Sequence, residues 1–124
     1  MSAPAEAHHA VTLNLPAIAR FLPSARVVAA SIGAEAGLTV DEIDDVRLGV
    51  NELVSLLVEG ADPGARITLT LSATDGRVQI DGQLDGTGGR AELDELARKI
   101  LDVVVDDYQL TASSFRLTKA STAA

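Results

Sequence analysis

The chain has no cysteine. That excludes disulfides, thiolate catalysis and cysteine-ligated metal in one step, and it fits a cytoplasmic protein. Aromatic residues make up only 2% of the 124 residues, so a core has to be built from Val, Leu, Ile and Ala. Cations are also scarce: 10 Lys and Arg stand against 18 Asp and Glu, a formal net charge of -8. A polyanion such as nucleic acid is a poor partner for that surface, and a basic protein is a better one. The two histidines, His8 and His9, both lie in the N-terminal stretch MSAPAEAHHA. No Ser-His-Asp set can therefore form in the body of the chain, and two adjacent histidines without a third ligand are a weak metal motif. No run of about 18 apolar residues exists, so no membrane span is expected. The N-terminus lacks a basic region followed by an apolar one and reads as a frayed tail rather than a signal peptide.

What is present is an apolar share of 47% at a length suited to one domain with a real core. Residues 1–9 and 120–124 read as tails and 10–119 as the domain. AVTLNLPA alternates Val11, Leu13 and Leu15 against Thr12 and Asn14, a strand with one buried face. A first helix falls within 16–37, with Phe21, Val27 or Val28, Ala30 and Ile32 inward, Pro23 in its first turn and Gly37 as its C-cap. Thr39-Val40-Asp41-Glu42 is a capping box that opens a second helix running to about Glu59. Its stripe is Ile43, Val46, Val50, Leu53, Val54 and Leu57. GADPGA stops it. RITLTLSA and RVQIDGQL form a hairpin about Thr74-Asp75-Gly76-Arg77. A third helix over AELDELARKILDVVVDD turns Leu93, Leu96, Ile100, Val103 and Val104 inward, and two short strands flank Ala112 and Ser113. The order β, α, α, β, β, α, β, β predicts an α+β two-layer sandwich: a mostly antiparallel sheet with three helices on one face.

Two features invite chemistry. Glu52 shares a strip of the second helix with Asp45, Leu48, Gly49, Leu56 and Glu59. A carboxylate there, facing a cleft, can polarise a hydroxyl for phosphoryl transfer; equally, the strip is what a solvated helix face looks like. Asn51 reads as exposed. The glycines of DGTGG at 85–89 suggest a phosphate loop but lack the Lys and Ser/Thr of a P-loop, and a flexible turn is the plainer reading.

The stretches VDEIDDVRLGVNELVSLLVEGA and LARKILDVVVDDYQLTASSFRLTK, with the hairpin between them, resemble the histidine-kinase-like (GHKL) ATPase fold. The resemblance covers about residues 10–119 and is to the branch of bacterial anti-sigma factors that act as serine kinases. It implies Glu52 as the general base. Four residues on, where the family holds Mg²⁺ with an asparagine, stands Leu56, which offers no oxygen ligand. The family's adenine-reading Asp falls at Leu84 by counting, with Asp85-Gly86 the nearest match for cofactor binding. The glycines that meet the phosphates correspond to Glu95 and Ala97. No metal ligand is carried over. The resemblance thus implies an anti-sigma-factor-like regulator with a degenerate ATP site. Its partner would be a sigma factor or an anti-anti-sigma antagonist. The regulator would be a homodimer, with no cofactor and no nucleic acid or membrane contact. The alternatives are an active kinase using ATP and Mg²⁺ on an anti-anti-sigma factor, and a scaffold domain without a sigma partner.

Overall fold

The computed structural model describes residues 9–88 and 92–122. Five strands form one antiparallel sheet: β1 (His9–Pro16), β2 (Arg66–Thr74), β3 (Arg77–Asp85), β4 (Asp107–Leu110) and β5 (Ser114–Ala120). Their spatial order is β1-β2-β3-β5-β4. Three helices, α1 (Leu22–Glu35), α2 (Val40–Glu59) and α3 (Glu95–Val104), cover one face. The predicted α+β sandwich is the observed architecture, and its sheet is antiparallel throughout.

Strand parity divides the sheet into a core face and an open face. Ile67, Leu69, Leu71 and Ala73 of β2, Val78, Ile80 and Leu84 of β3, and Phe115 and Leu117 of β5 are buried under the helices. The alternate residues carry a polar network on the open face. Asn14 donates to Thr68 at 2.9 Å, Thr68 donates to Asp85 at 2.6 Å, and Arg116 pairs with Asp81 at 2.6 Å. Val11, expected on the buried face, is 41% exposed; β1 is an edge strand, and its first four residues are all exposed.

The helix starts and stops follow local chemistry. Pro23 occupies the first turn of α1, where its missing N–H is no loss. That helix ends in a Schellman motif: Leu38 N–H bonds to Gly33 O at 3.0 Å, Gly37 N–H bonds to Ala34 O at 3.1 Å, and Gly37 takes φ 85°. Ala36 is therefore the cap residue and Gly37 the left-handed residue after it. Both halves of the Thr39–Glu42 capping box form, at 2.8 and 3.2 Å. Within α1 the buried edge is Ala25, Ala29 and Ile32 rather than Val27, which is exposed. Phe21, Val28 and Ala30 are half-buried.

Glu42 does more than cap. Its carboxylate also accepts Ser121 Oγ at 3.1 Å, Thr122 N–H at 2.7 Å and Thr122 Oγ1 at 3.0 Å. The ordered fold therefore continues past 119, where a tail was expected, and ties the end of β5 to the start of α2. Hydrogen bonding to Thr122 N–H and then to Thr39 N–H holds the Glu42 carboxyl at about 2, below its usual 4.5. His9, expected in the N-terminal tail, already belongs to β1; His8 lies outside the described residues.

Candidate functional site

Glu52 lies midway along α2, half-buried, on the edge of the helix that turns from the core stripe toward solvent. The neighbouring positions on its strip have different fates. Gly49 is packed so tightly that a methyl group there would stand 2.8 Å from Val105 Cγ1 and 3.8 Å from Val104 Cγ2. This glycine lets α2 and the C-terminal end of α3 meet side chain to backbone. Leu56 is 8% exposed, a core residue in fact. The close α2–α3 approach is therefore at Gly49, one turn before Glu52, and is aliphatic. Asp45, about two turns before Glu52 and half-buried, pairs with the buried Lys119 of β5 at 3.3 Å.

Asn51 is half-buried and accepts a hydrogen bond from Arg26 Nη1 at 2.7 Å, so it joins α1 to α2 instead of standing free in solvent. The two line a surface cavity of about 390 Å³ with Asp44, Arg47 and Leu48. Glu52 does not line it.

Asp85 and Gly86 are elsewhere. The β2–β3 ladder runs without a bulge from Thr74↔Arg77 to Arg66↔Asp85. Parity is therefore kept to the end of β3: Leu84 is buried on the helix side, and Asp85 is on the open face, where it accepts from Thr68. Glu52 and Asp85 lie on opposite sides of the sheet. Gly86 has φ 126°, and a methyl there would stand 3.1 Å from Ala65 Cβ. Gly88, at φ 111°, pairs with Ala61 and lies so near Gly60 that a methyl would stand 2.1 Å from its carbonyl oxygen. Thr87 O accepts Asp62 N–H at 3.1 Å, and Thr87 Oγ1 donates to Asp62. Gly86 thus serves close approach to Ala65, just before β2, and Gly88 to the end of α2, about 12 Å along the helix axis from Glu52 at 1.5 Å per residue. Gly89 lies outside the described residues.

The third helix begins later than its sequence pattern suggests. Asp94 caps it by accepting Ala97 N–H at 2.7 Å. Glu95 occupies the first turn, exposed, and pairs with Lys99 at 3.5 Å. Its first-turn N–H group is met by a carboxylate of the chain itself. The inward face of this helix is Leu101 and Val104, with Leu93 and Ile100 half-buried; Leu96 and Val103, expected inward, are 68% and 80% exposed.

Among the described residues no cluster of three His, Cys, Asp or Glu could hold a metal ion, and no helix is long and apolar enough to cross a membrane. His9 lies near Glu35 at 3.9 Å, both exposed.

No protein-family model matches the sequence, and no curated protein matches it. Among solved structures the chain is similar to that of the RsbU and RsbW domains of Rv1364c from Mycobacterium tuberculosis, with a TM-score of 0.63 at 17% identity. The match covers 91% of this chain and 32% of that one, so this chain spans about a third of its neighbour. At that identity the likeness shows the fold alone: an antiparallel five-stranded sheet under three helices.

Proposed function

We propose that this chain is a regulator of the anti-sigma type, which acts by binding a protein partner, a sigma factor or its antagonist, and does so without nucleotide. The fold and the resemblance over 10–119 support the regulatory role. The absence of cysteine suits work in the cytoplasm. The observation that carries the nucleotide-free part is the buried Leu56, one turn after Glu52 on α2. Phosphoryl transfer depends on positioning and on neutralising phosphate charge, and each position that would do so is filled with something else. Leu56 offers no oxygen to Mg²⁺. Leu84 presents an alkyl group where an adenine amine needs a carboxylate. Asp94 already occupies the Ala97 N–H, and Glu95 adds a second negative charge where phosphates would dock. These residues are a poor fit to a magnesium nucleotide, and no catalytic step is routed through one. Glu52 keeps the position of a general base without the surroundings that would give it a substrate.

The test is affinity capture of partners from extracts of the source organism, with mass spectrometry, in the presence and absence of ATP and Mg²⁺. Recovery of a sigma factor or an antagonist, in equal yield under both conditions, is the expected result. Recovery of neither, or capture that strictly requires ATP, contradicts the proposal. The homodimer that the resemblance implies is checked by light scattering over a concentration series, where a monomer throughout refutes it.

A further inference from the structure

The outer flank of α3 carries an apolar row of which the fold uses only the middle member, Ile100, which packs against the core, while Leu96 and Val103 stand in solvent. Leu96, Ile100 and Val103 are spaced by four and three residues and therefore share one side of the helix. Two of the three are more than two-thirds exposed, and Ile100 is half-buried. The opposite flank is turned toward the sheet edge, where Arg98 shares a cavity with Tyr108 and Leu110. The helix is thus apolar on more of its surface than its own core contact through Leu101 and Val104 requires. Single exposed aliphatics are ordinary, and Val27 and Val40 are examples. Here Leu96 and Val103 stand together on one side of a ten-residue helix, continuous with the half-buried Ile100 between them.

We infer that this flank docks a basic amphipathic helix of a protein partner. Charge selects the occupant. Between residues 92 and 107 the sequence has six carboxylates and two cations. One of those cations, Lys99, is already paired with Glu95, so the surroundings of the row are negative. A partner helix with Lys or Arg beside its own apolar stripe buries both stripes and gains attraction. A second copy of this chain brings the same six carboxylates, and an anionic membrane brings its own negative charge; both meet repulsion. The inference rests on the partner-binding reading above and adds the surface and the chemistry of what it takes.

The probe is an amphipathic leucine–lysine peptide of about two heptads, titrated into the isotope-labelled chain and followed by amide chemical shifts. The leucine–glutamate counterpart serves as the control. The lysine peptide is expected to move amides of residues 95–104, and the glutamate peptide to leave them in place. Leu96→Ser with Val103→Ser weakens the lysine peptide about tenfold or more, ~1.4 kcal/mol, with shifts elsewhere and thermal stability unchanged. Leu96→Lys, at a position already in solvent, gives a comparable loss by repulsion. No shift at millimolar peptide, equal response to both peptides, shifts centred on another face, or unchanged affinity in the variants each overturns the inference. So does a dimer in sedimentation that the double variant abolishes, which assigns the row to a second copy. If the double variant still captures a sigma factor or antagonist, the flank is refuted and the regulatory reading survives. If the peptide binds as expected but no such partner is captured, the reverse holds.

Discussion

Gly82→Ala is a one-methyl perturbation with a specific cost. Gly82 stands opposite Phe115 in the β3–β5 ladder, and the ring lies over it. A methyl at 82 would stand 2.2, 2.6 and 2.9 Å from Cε2, Cζ and Cδ2 of Phe115. Ordinary carbon contacts are about 3.5–4.0 Å, so the ring has to move by roughly an ångström. It is 4% exposed and rigid, with no flexible end to swing aside. Overpacking of this kind costs about 1–3 kcal/mol. Against it stands a smaller gain, about 0.4–1 kcal/mol, from restricting the unfolded chain, since Gly82 is not among the positive-φ glycines and alanine suits its backbone. The net expectation is a loss of about 1–2 kcal/mol in urea denaturation with an unchanged slope. The discriminating measurement is the same substitution in a Phe115→Leu background, where the ring edge is gone and Gly82→Ala becomes neutral or mildly stabilising. If alanine costs the same in both backgrounds, or stabilises the parent, the contact is not what keeps this position glycine.

The other expectations are briefer. Leu53→Ala, at a fully buried site, costs about 2–5 kcal/mol, while Glu52→Ala costs less than about 1 kcal/mol; equal losses in denaturation contradict the assigned helix face. Gly37→Ala meets no atom within 4 Å but has to hold φ 85°, so it costs about 1–2 kcal/mol from the backbone alone. The depressed Glu42 carboxyl contributes stability that is fully present above pH 4.5 and is lost as pH falls through about 2. Thermal melts from pH 6 downward should show that loss, and Glu42→Gln should lower stability at neutral pH and flatten the acid limb; parallel acid limbs in parent and variant refute it.

Much of the fold was legible because its signals are local. The capping box at Thr39–Glu42, the left-handed Gly37, the Asp75-Gly76 turn and the alternation of Ile67, Leu69 and Leu71 all depend on residues a few positions apart. The phase of α3 was not legible. Apolar residues at 96, 100, 101, 103, 104 and 105 allow two stripes, and periodicity cannot choose between them. Packing of Val104 and Val105 against Gly49 chooses, and it leaves Leu96 and Val103 outside. The second role of Glu42 was equally hidden, because Ser121 and Thr122 are about eighty residues away in sequence. At the candidate site, strand parity alone separates Leu84 from Asp85, and the unbroken register shows which of them faces the helices. Closure of the α2–α3 junction required the contact of Gly49 with Val105, a tertiary fact with no sequence signal beyond the glycine itself.

Titration calorimetry of the chain with ATP and Mg²⁺ tests the nucleotide-free proposal most directly. Each missing charged contact is worth about 1.5–3 kcal/mol, and two or three of them move a micromolar site to millimolar or weaker at about 1.4 kcal/mol per tenfold. The expected result is heat of dilution only. A dissociation constant in the low micromolar range would contradict it, and phosphate transferred to a partner's serine and abolished by Glu52→Ala would contradict it in favour of the kinase reading.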